Sequence, residues 1–155
     1  MRRFRPSLVA GALVAALAAG SAQAQFSGTY TFGDSLSDAG QYGARFTTNP
    51  GLTAPMYVSQ SYGLTSTPSF TGGNNFAQGG ARVTSPSPLV PAGVPDFSVA
   101  QQVSQLISKG PLDPTALYQI QGGANDVFVL AQQAGAGIIT QAQLQAGVTQ
   151  AALDL

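Results

Sequence analysis

Three short β-prone runs in this chain each stop at a glycine-rich loop, with helix-like patterns between and after them. The first, residues 29–32, ends at Gly33, the second, residues 75–77, at Gly79 and Gly80, and the third, residues 117–120, at Gly122 and Gly123. Strands that alternate with helical segments are the pattern of βαβ units, and βαβ units build a parallel sheet. In an open sheet of that kind functional groups gather in the loops beyond the carboxyl ends of the strands. The three glycine loops are therefore where chemistry is expected.

The segments between them carry their own signals. Residues 36–42 predict a short helix started by the first loop, and residues 46–74, rich in Gly, Pro, Ser and Thr, predict a long irregular connection. A loop of that length inside a compact domain is uncommon and is more often functional or partly disordered. A second proline-rich connection covers residues 85–95. After it, Phe97, Ala100, Val103, Leu106 and Ile107 line one face of a helix that Ser98 and Gln101 start with a capping box and Gly110-Pro111 ends. Residues 127–133 resume a helical run. Over residues 140–155, Leu144, Val148, Ala152 and Leu155 recur at spacings of three to four, with Thr140 and Gln143 as a second capping box. No stop signal follows Leu155, which predicts a chain cut inside an element. Tyr30, Phe32, Phe76, Leu117 and Ile120 are the expected core.

Residues 1–24 are set apart from the fold. Arg2, Arg3 and Arg5 precede an apolar run over residues 8–19, and Ala22-Gln23-Ala24 follows, the pattern of a cleavable secretory signal. A run of about 12 residues is well short of the roughly 20 that cross a bilayer. Residues 25–155 form the expected mature domain. They keep Arg45, Arg82 and Lys109 against six aspartates, so no basic cluster offers itself to nucleic acid or to anionic lipid. The chain has no cysteine and no histidine, which removes disulfides and thiolate or imidazole metal sites, and no organic cofactor is implied.

The residues that could do chemistry sit in the three loops. Gly33-Asp34-Ser35-Leu36-Ser37-Asp38 places a serine at the end of the first strand, Gln78-Gly79-Gly80 offers backbone N–H groups, and Gly123-Ala124-Asn125-Asp126 offers an amide. A nucleophile with preorganised donors suits ester hydrolysis, because negative charge develops on the carbonyl oxygen in the tetrahedral transition state. Each motif has a plainer reading. Ser35 could cap a helix with Asp38 in its first turn, Gly79-Gly80 could be a simple turn, and Asn125-Asp126 a helix start. Asp34 and Asp126 read as structural, with Asp126 bonding the loop that carries Asn125. A serine hydroxyl is a weak nucleophile without a base, and this chain has no imidazole to supply one.

Taken in order and spacing, these blocks resemble the GDSL esterase and lipase family, also called SGNH hydrolases. Gly33 to Asp38 matches the first block, residues 75–81 resemble the second, and Gly123 to Asp126 matches the third. The resemblance covers essentially all of residues 25–155. It implies an α/β fold, the flavodoxin-like three-layer SGNH hydrolase architecture with a parallel sheet, here truncated after about three strands. It implies Ser35 as nucleophile and an oxyanion hole formed by the Ser35 and Gly80 N–H groups with the Asn125 side chain, Gly79 being the alternative to Gly80. The family's Asp-x-x-His block is missing, so the chain as it stands is expected to be inactive. The implied function is that of an exported serine esterase or lipase acting on small-molecule or lipid esters through an acyl-enzyme, at the periplasm, the outer-membrane surface or outside the cell. Members with this first block after a signal include bacterial outer-membrane esterases whose passenger precedes a carboxyl-terminal membrane barrel. The alternative is a secreted binding, adhesion or surface-display module on the same fold; oligomeric state is left open.

Overall fold

The computed structural model describes residues 26–48 and 50–155; the expected signal over residues 1–24 lies outside them. Strand β1 is Thr29–Phe32, helix α1 Ala54–Ser61, then a 3-10 turn Ser69–Thr71, helix α2 Val99–Ile107, strand β2 Leu117–Ile120, helix α3 Ala124–Gly135 and helix α4 Gln141–Asp154. The two strands pair in parallel, from Thr29 opposite Leu117 to Phe32 opposite Ile120.

The third expected strand is reduced to a bridge between Thr31 and Asn75. Its backbone still runs along β1: Thr31 N–H donates to Asn74 O at 3.1 Å, Phe76 N–H to Thr31 O at 2.7 Å and Gln78 N–H to Gly33 O at 3.0 Å. Phe32 O instead accepts from Gln121 N–H, beyond the end of β2. Successive residues of a strand address opposite edges and opposite faces, so β1 is central, flanked by the 75–78 segment and by β2. The bridge is short because its own loop competes for it. Asn75 N–H goes to Thr67 O, and Asn75 Oδ1 accepts from Ala77 N–H.

Helices cover both faces of the sheet. Thr29 and Gln119 point to α1, whose buried Ser59 hydroxyl donates to Thr29 Oγ1 at 3.2 Å and accepts from Gln119 Nε2 at 3.0 Å. Tyr30, Phe32 and Tyr118 share the opposite face with α2, where Phe32, Phe76, Val99 and Leu106 form the core and Val103 packs against it. Phe32 stacks on Phe76 with centroids 5.4 Å apart, and Tyr30 on Tyr118 at 5.5 Å. The fold is a small α/β layer structure, as the alternation of strands and helices predicts.

Several expectations need correction. Residues 36–42 form turns and no helix, because carboxylates capture the backbone N–H groups a helix would use: Asp34 Oδ1 takes that of Leu36, and Asp38 Oδ1 takes those of Gly40 and Gln41. The connection over residues 46–74 is not structureless, since it holds α1. Thr53 in extended conformation followed by proline in the first turn is the start signal there. On α2 the capping box of Ser98 and Gln101 forms, but the buried face is Val99, Gln102 and Leu106, while Ala100 and Ile107 are exposed. Ile120 is 53% exposed, because among the described residues no strand lies on the outer edge of β2. Leu117 and Tyr30 are half-buried. The α4 capping box is present as expected, and α4 lies against α3 where a Cβ on Gly147 would come within 2.9 Å of Leu130. Among the described residues no helix is long and apolar enough to cross a membrane.

Candidate active site

All three glycine loops leave the sheet at its carboxyl end, and polar side chains stitch them together. In the first, Asp34 builds the turn that carries Ser35. Its carbonyl accepts from Ser37 and Asp38 N–H at 3.0 Å, and its carboxylate accepts from Leu36 N–H at 3.0 Å. Two glutamines then fix this turn to the fold. Gln121, just past β2, donates to Asp34 Oδ2 at 2.9 Å and accepts from Ser37 Oγ at 3.1 Å. Gln102 of α2 is fully buried, accepts from Gly33 N–H at 2.8 Å and donates to Gly33 O and Phe97 O at 3.0 Å. Ser35 itself is half-buried at the crest of the turn. No helix follows it, so the capping role for Ser35 is excluded.

The second loop is a tight turn in which Ala81 N–H donates to Gln78 O at 3.1 Å. Gly80 has φ +84°, a left-handed conformation that favours glycine, and a Cβ there would sit 3.1 Å from the Leu89 carbonyl. The loop is held to both of its neighbours. Gly79 N–H donates to Asp38 Oδ2 at 2.8 Å, and Ala81 O accepts from Asn125 Nδ2 at 2.8 Å. Gly79 thus has its N–H engaged, which separates it from Gly80.

The third loop opens α3. Gly123, at φ +96°, precedes the helix, and Asn125 and Asp126 are buried in its first turn. Asp126 accepts from Arg82 Nε at 3.0 Å and from Val83 N–H at 2.9 Å, so the carboxylate joins the third loop to the residues after the second. It is structural, as its sequence context suggests, and acts across the loops rather than within its own.

One pattern among the backbone donors stands out. The N–H groups of Leu36, Ser37 and Asp38 are taken by Asp34, that of Gly79 by Asp38 and that of Ala81 by Gln78. Among the described residues the N–H groups of Ser35 and Gly80 donate to no protein acceptor. The two loops that carry these N–H groups are tied together by the buried Asp38 carboxylate, and the Asn125 amide is held to the second by Ala81 O. Gln102, Gln121 and Asp38 were not singled out by sequence reasoning as parts of the site. Their partners lie up to 87 residues away along the chain, and only Asp38, inside the first block, carries any local signal.

A phenol marks the outer side of Asp38. Tyr42 donates to Pro95 O at 2.9 Å, and burial, with the Asp38 and Asp96 carboxylates, raises its pKa above the usual value for tyrosine. A raised phenol pKa means stability present below the unfolded pKa of about 10 and lost as pH rises through the folded one. Absorbance titration near 295 nm should therefore show late-ionising tyrosines, Tyr42 and Tyr118, of which one is lost in Tyr42→Phe. Disappearance of no late-titrating tyrosine in that variant would contradict the assignment.

Comparison with known proteins bears on the same residues. A family model described as GDSL-like lipase/acylhydrolase matches residues 30–154. A curated relative from Pseudomonas putida, the uncharacterized protein in the trpE-trpG intergenic region, is 35% identical over 134 residues. The match covers 68% of this chain and 23% of the relative, so the chain spans about a quarter of that protein's length. No solved structure matches.

Proposed function

Because the chain belongs to the GDSL-like lipase/acylhydrolase family, we propose that it carries the nucleophile and oxyanion hole of a serine carboxylic-ester hydrolase. The observation that supports this most is that the Ser35 and Gly80 N–H groups have no protein acceptor, while those of Leu36, Ser37, Asp38, Gly79 and Ala81 beside them do. Ser35 Oγ attacks the ester carbonyl carbon, and the carbonyl oxygen takes up the electron pair. The Ser35 and Gly80 N–H groups and the Asn125 amide hold that oxyanion. The C–O bond to the alcohol then breaks, leaving an acyl-serine that water hydrolyses to the acid. Substrates are small-molecule or lipid esters.

The proton of Ser35 has no imidazole to go to in this chain. Asp34 and Asp38 are already engaged by backbone N–H groups, so solvent hydroxide is the remaining acceptor. Turnover of p-nitrophenyl esters by the 155-residue chain is accordingly expected to stay at the buffer rate, since an oxyanion hole alone retains only a residual part of triad catalysis. Stoichiometric attack on a strongly activated phosphorus centre remains within reach.

The test is to incubate the chain with an alkyl phosphonofluoridate at alkaline pH and map the adduct by peptide mass spectrometry. A single adduct on Ser35, forming faster as pH rises, is expected. Adducts scattered over other hydroxyl side chains, or none at all, would overturn the reading and favour the binding-module alternative. Export is part of the same proposal, on the strength of Arg2, Arg3 and Arg5 ahead of the apolar run. Expressed in a Gram-negative host, the exported form should begin at Gln25, read by amino-terminal sequencing; retention of Met1 in the exported form would count against it.

A further inference from the structure

Asp38 is 2% exposed and divides its two carboxylate oxygens between two tasks. Oδ1 accepts from Gly40 N–H at 2.7 Å and Gln41 N–H at 2.8 Å, closing the turn after the nucleophile loop. Oδ2 reaches across to the other loop and accepts from Gly79 N–H at 2.8 Å. The backbone of Asp38 is itself fixed three residues from Ser35 by its N–H bond to Asp34 O. One carboxylate therefore links the loop of the nucleophile to the residue immediately before Gly80.

Resting on the reading of Ser35 and Gly80 above, we propose that Asp38 is a positioning residue of the oxyanion hole: it sets the separation between Ser35 and the Gly80 N–H. Oxyanion donors act over a narrow range, about 2.7–3.1 Å from the oxygen they hold, and an error of about 1 Å in such geometry costs on the order of 100-fold in rate. Gly79 and Gly80 have no side chains to hold themselves in place. The Gly80 donor is anchored from the nucleophile side by Asp38 and from the α3 side by the Asn125 bond to Ala81 O. Asp38 also engages the competing N–H, that of Gly79, and so leaves Gly80 as the donor of the pair.

Asp38→Asn separates the two tasks. Its amide oxygen can keep the Gly40 and Gln41 contacts, while its NH₂ meets the Gly79 N–H donor to donor. The experiment follows phosphonylation of Ser35 by intact mass at several probe concentrations, for the wild-type chain and for Asp38→Asn, with near-UV circular dichroism of the stacked tyrosines reporting the fold. The expected result is a saturated labelling rate lowered about 10- to 100-fold with the half-saturating probe concentration unchanged, a split that mere loosening of the domain would not produce. Should Asp38→Asn not fold, Asp38→Glu, which keeps the carboxylate but moves it by one methylene, is expected to fold and also to label slowly. A folded variant of either kind that labels Ser35 at the wild-type rate overturns the inference while the Ser35 reading stands. A wild-type chain that does not label at Ser35 removes both.

Discussion

Asn125→Ala should slow phosphonylation of Ser35 by about 100-fold or more while the chain stays folded. The magnitude follows from what the amide does. Removal of one side-chain donor from an oxyanion hole costs roughly 100- to 1000-fold, because the developing charge then meets one fewer fixed dipole in a place water reaches poorly. Asn125 is 8% exposed and its orientation is not free: one N–H of Nδ2 is bonded to Ala81 O at 2.8 Å, which leaves the second to aim elsewhere. Truncation also leaves Ala81 O without that donor, a cost of about 1–3 kcal/mol for a buried acceptor. Chemical denaturation run beside the labelling assay separates the two effects. Asn125→Asp sharpens the test, since it keeps the shape and replaces a donor by a negative charge; it should label no faster than Asn125→Ala. If Asn125→Ala labels within threefold of the wild type, the amide is not an oxyanion donor and serves only to hold the second loop through Ala81 O.

The parts of the fold that were legible in the sequence are those settled by neighbours along the chain. β1 and β2 fall on their apolar runs, and both capping boxes form, because Ser98 with Gln101 and Thr140 with Gln143 satisfy each other within one turn. Reading failed where a side chain's partner lies far away. Gln102 belongs to the solvent side on any apolar-stripe argument, yet two of its bonds go to Gly33, 69 residues earlier, and they rotate α2 so that Ala100 and Ile107 turn outward. The turn at residues 36–42 departs from the expected helix for a local reason. Asp34 and Asp38 are acceptable in the first turn of a helix, but their carboxylates take the N–H groups of Leu36, Gly40 and Gln41, and their remaining oxygens reach Gln121 and Gly79. At the candidate site the local motifs mark Ser35, Gly80 and Asn125 as candidates. They could not supply the distances, which depend on the carboxylates and glutamines that tie one loop to the next.

The Arg82–Asp126 pair is expected to be the largest single polar contribution to stability, and Asp126→Ala should lower the free energy of unfolding by about 3–5 kcal/mol. Asp126 is 3% exposed, and the Arg82 side chain opposite it is 15% exposed, so little water is available to replace a lost partner. Truncation leaves the guanidinium with the Pro86 carbonyl at 3.3 Å as its remaining acceptor, and leaves Val83 N–H, now bonded to Oδ2 at 2.9 Å, without one. A single small domain has about 5–15 kcal/mol in all, so the variant should lose a large share of its stability. Urea titration followed by tyrosine fluorescence is the measurement. The attraction of the charges is not what makes the loss large. It is the uncompensated charge left behind, and a double variant, Arg82→Met with Asp126→Leu, which removes both charges, should therefore recover most of the loss. Loss of the ion pair would also leave the second loop tied to the third by the Asn125 bond to Ala81 O alone, so Asp126→Ala is expected to slow Ser35 labelling even in its folded fraction, whereas the double variant should remain well folded but still label slowly. A change below about 1 kcal/mol in Asp126→Ala would mean that the pair behaves as an exposed salt bridge and that Asn125 is held by its bond to Ala81 alone.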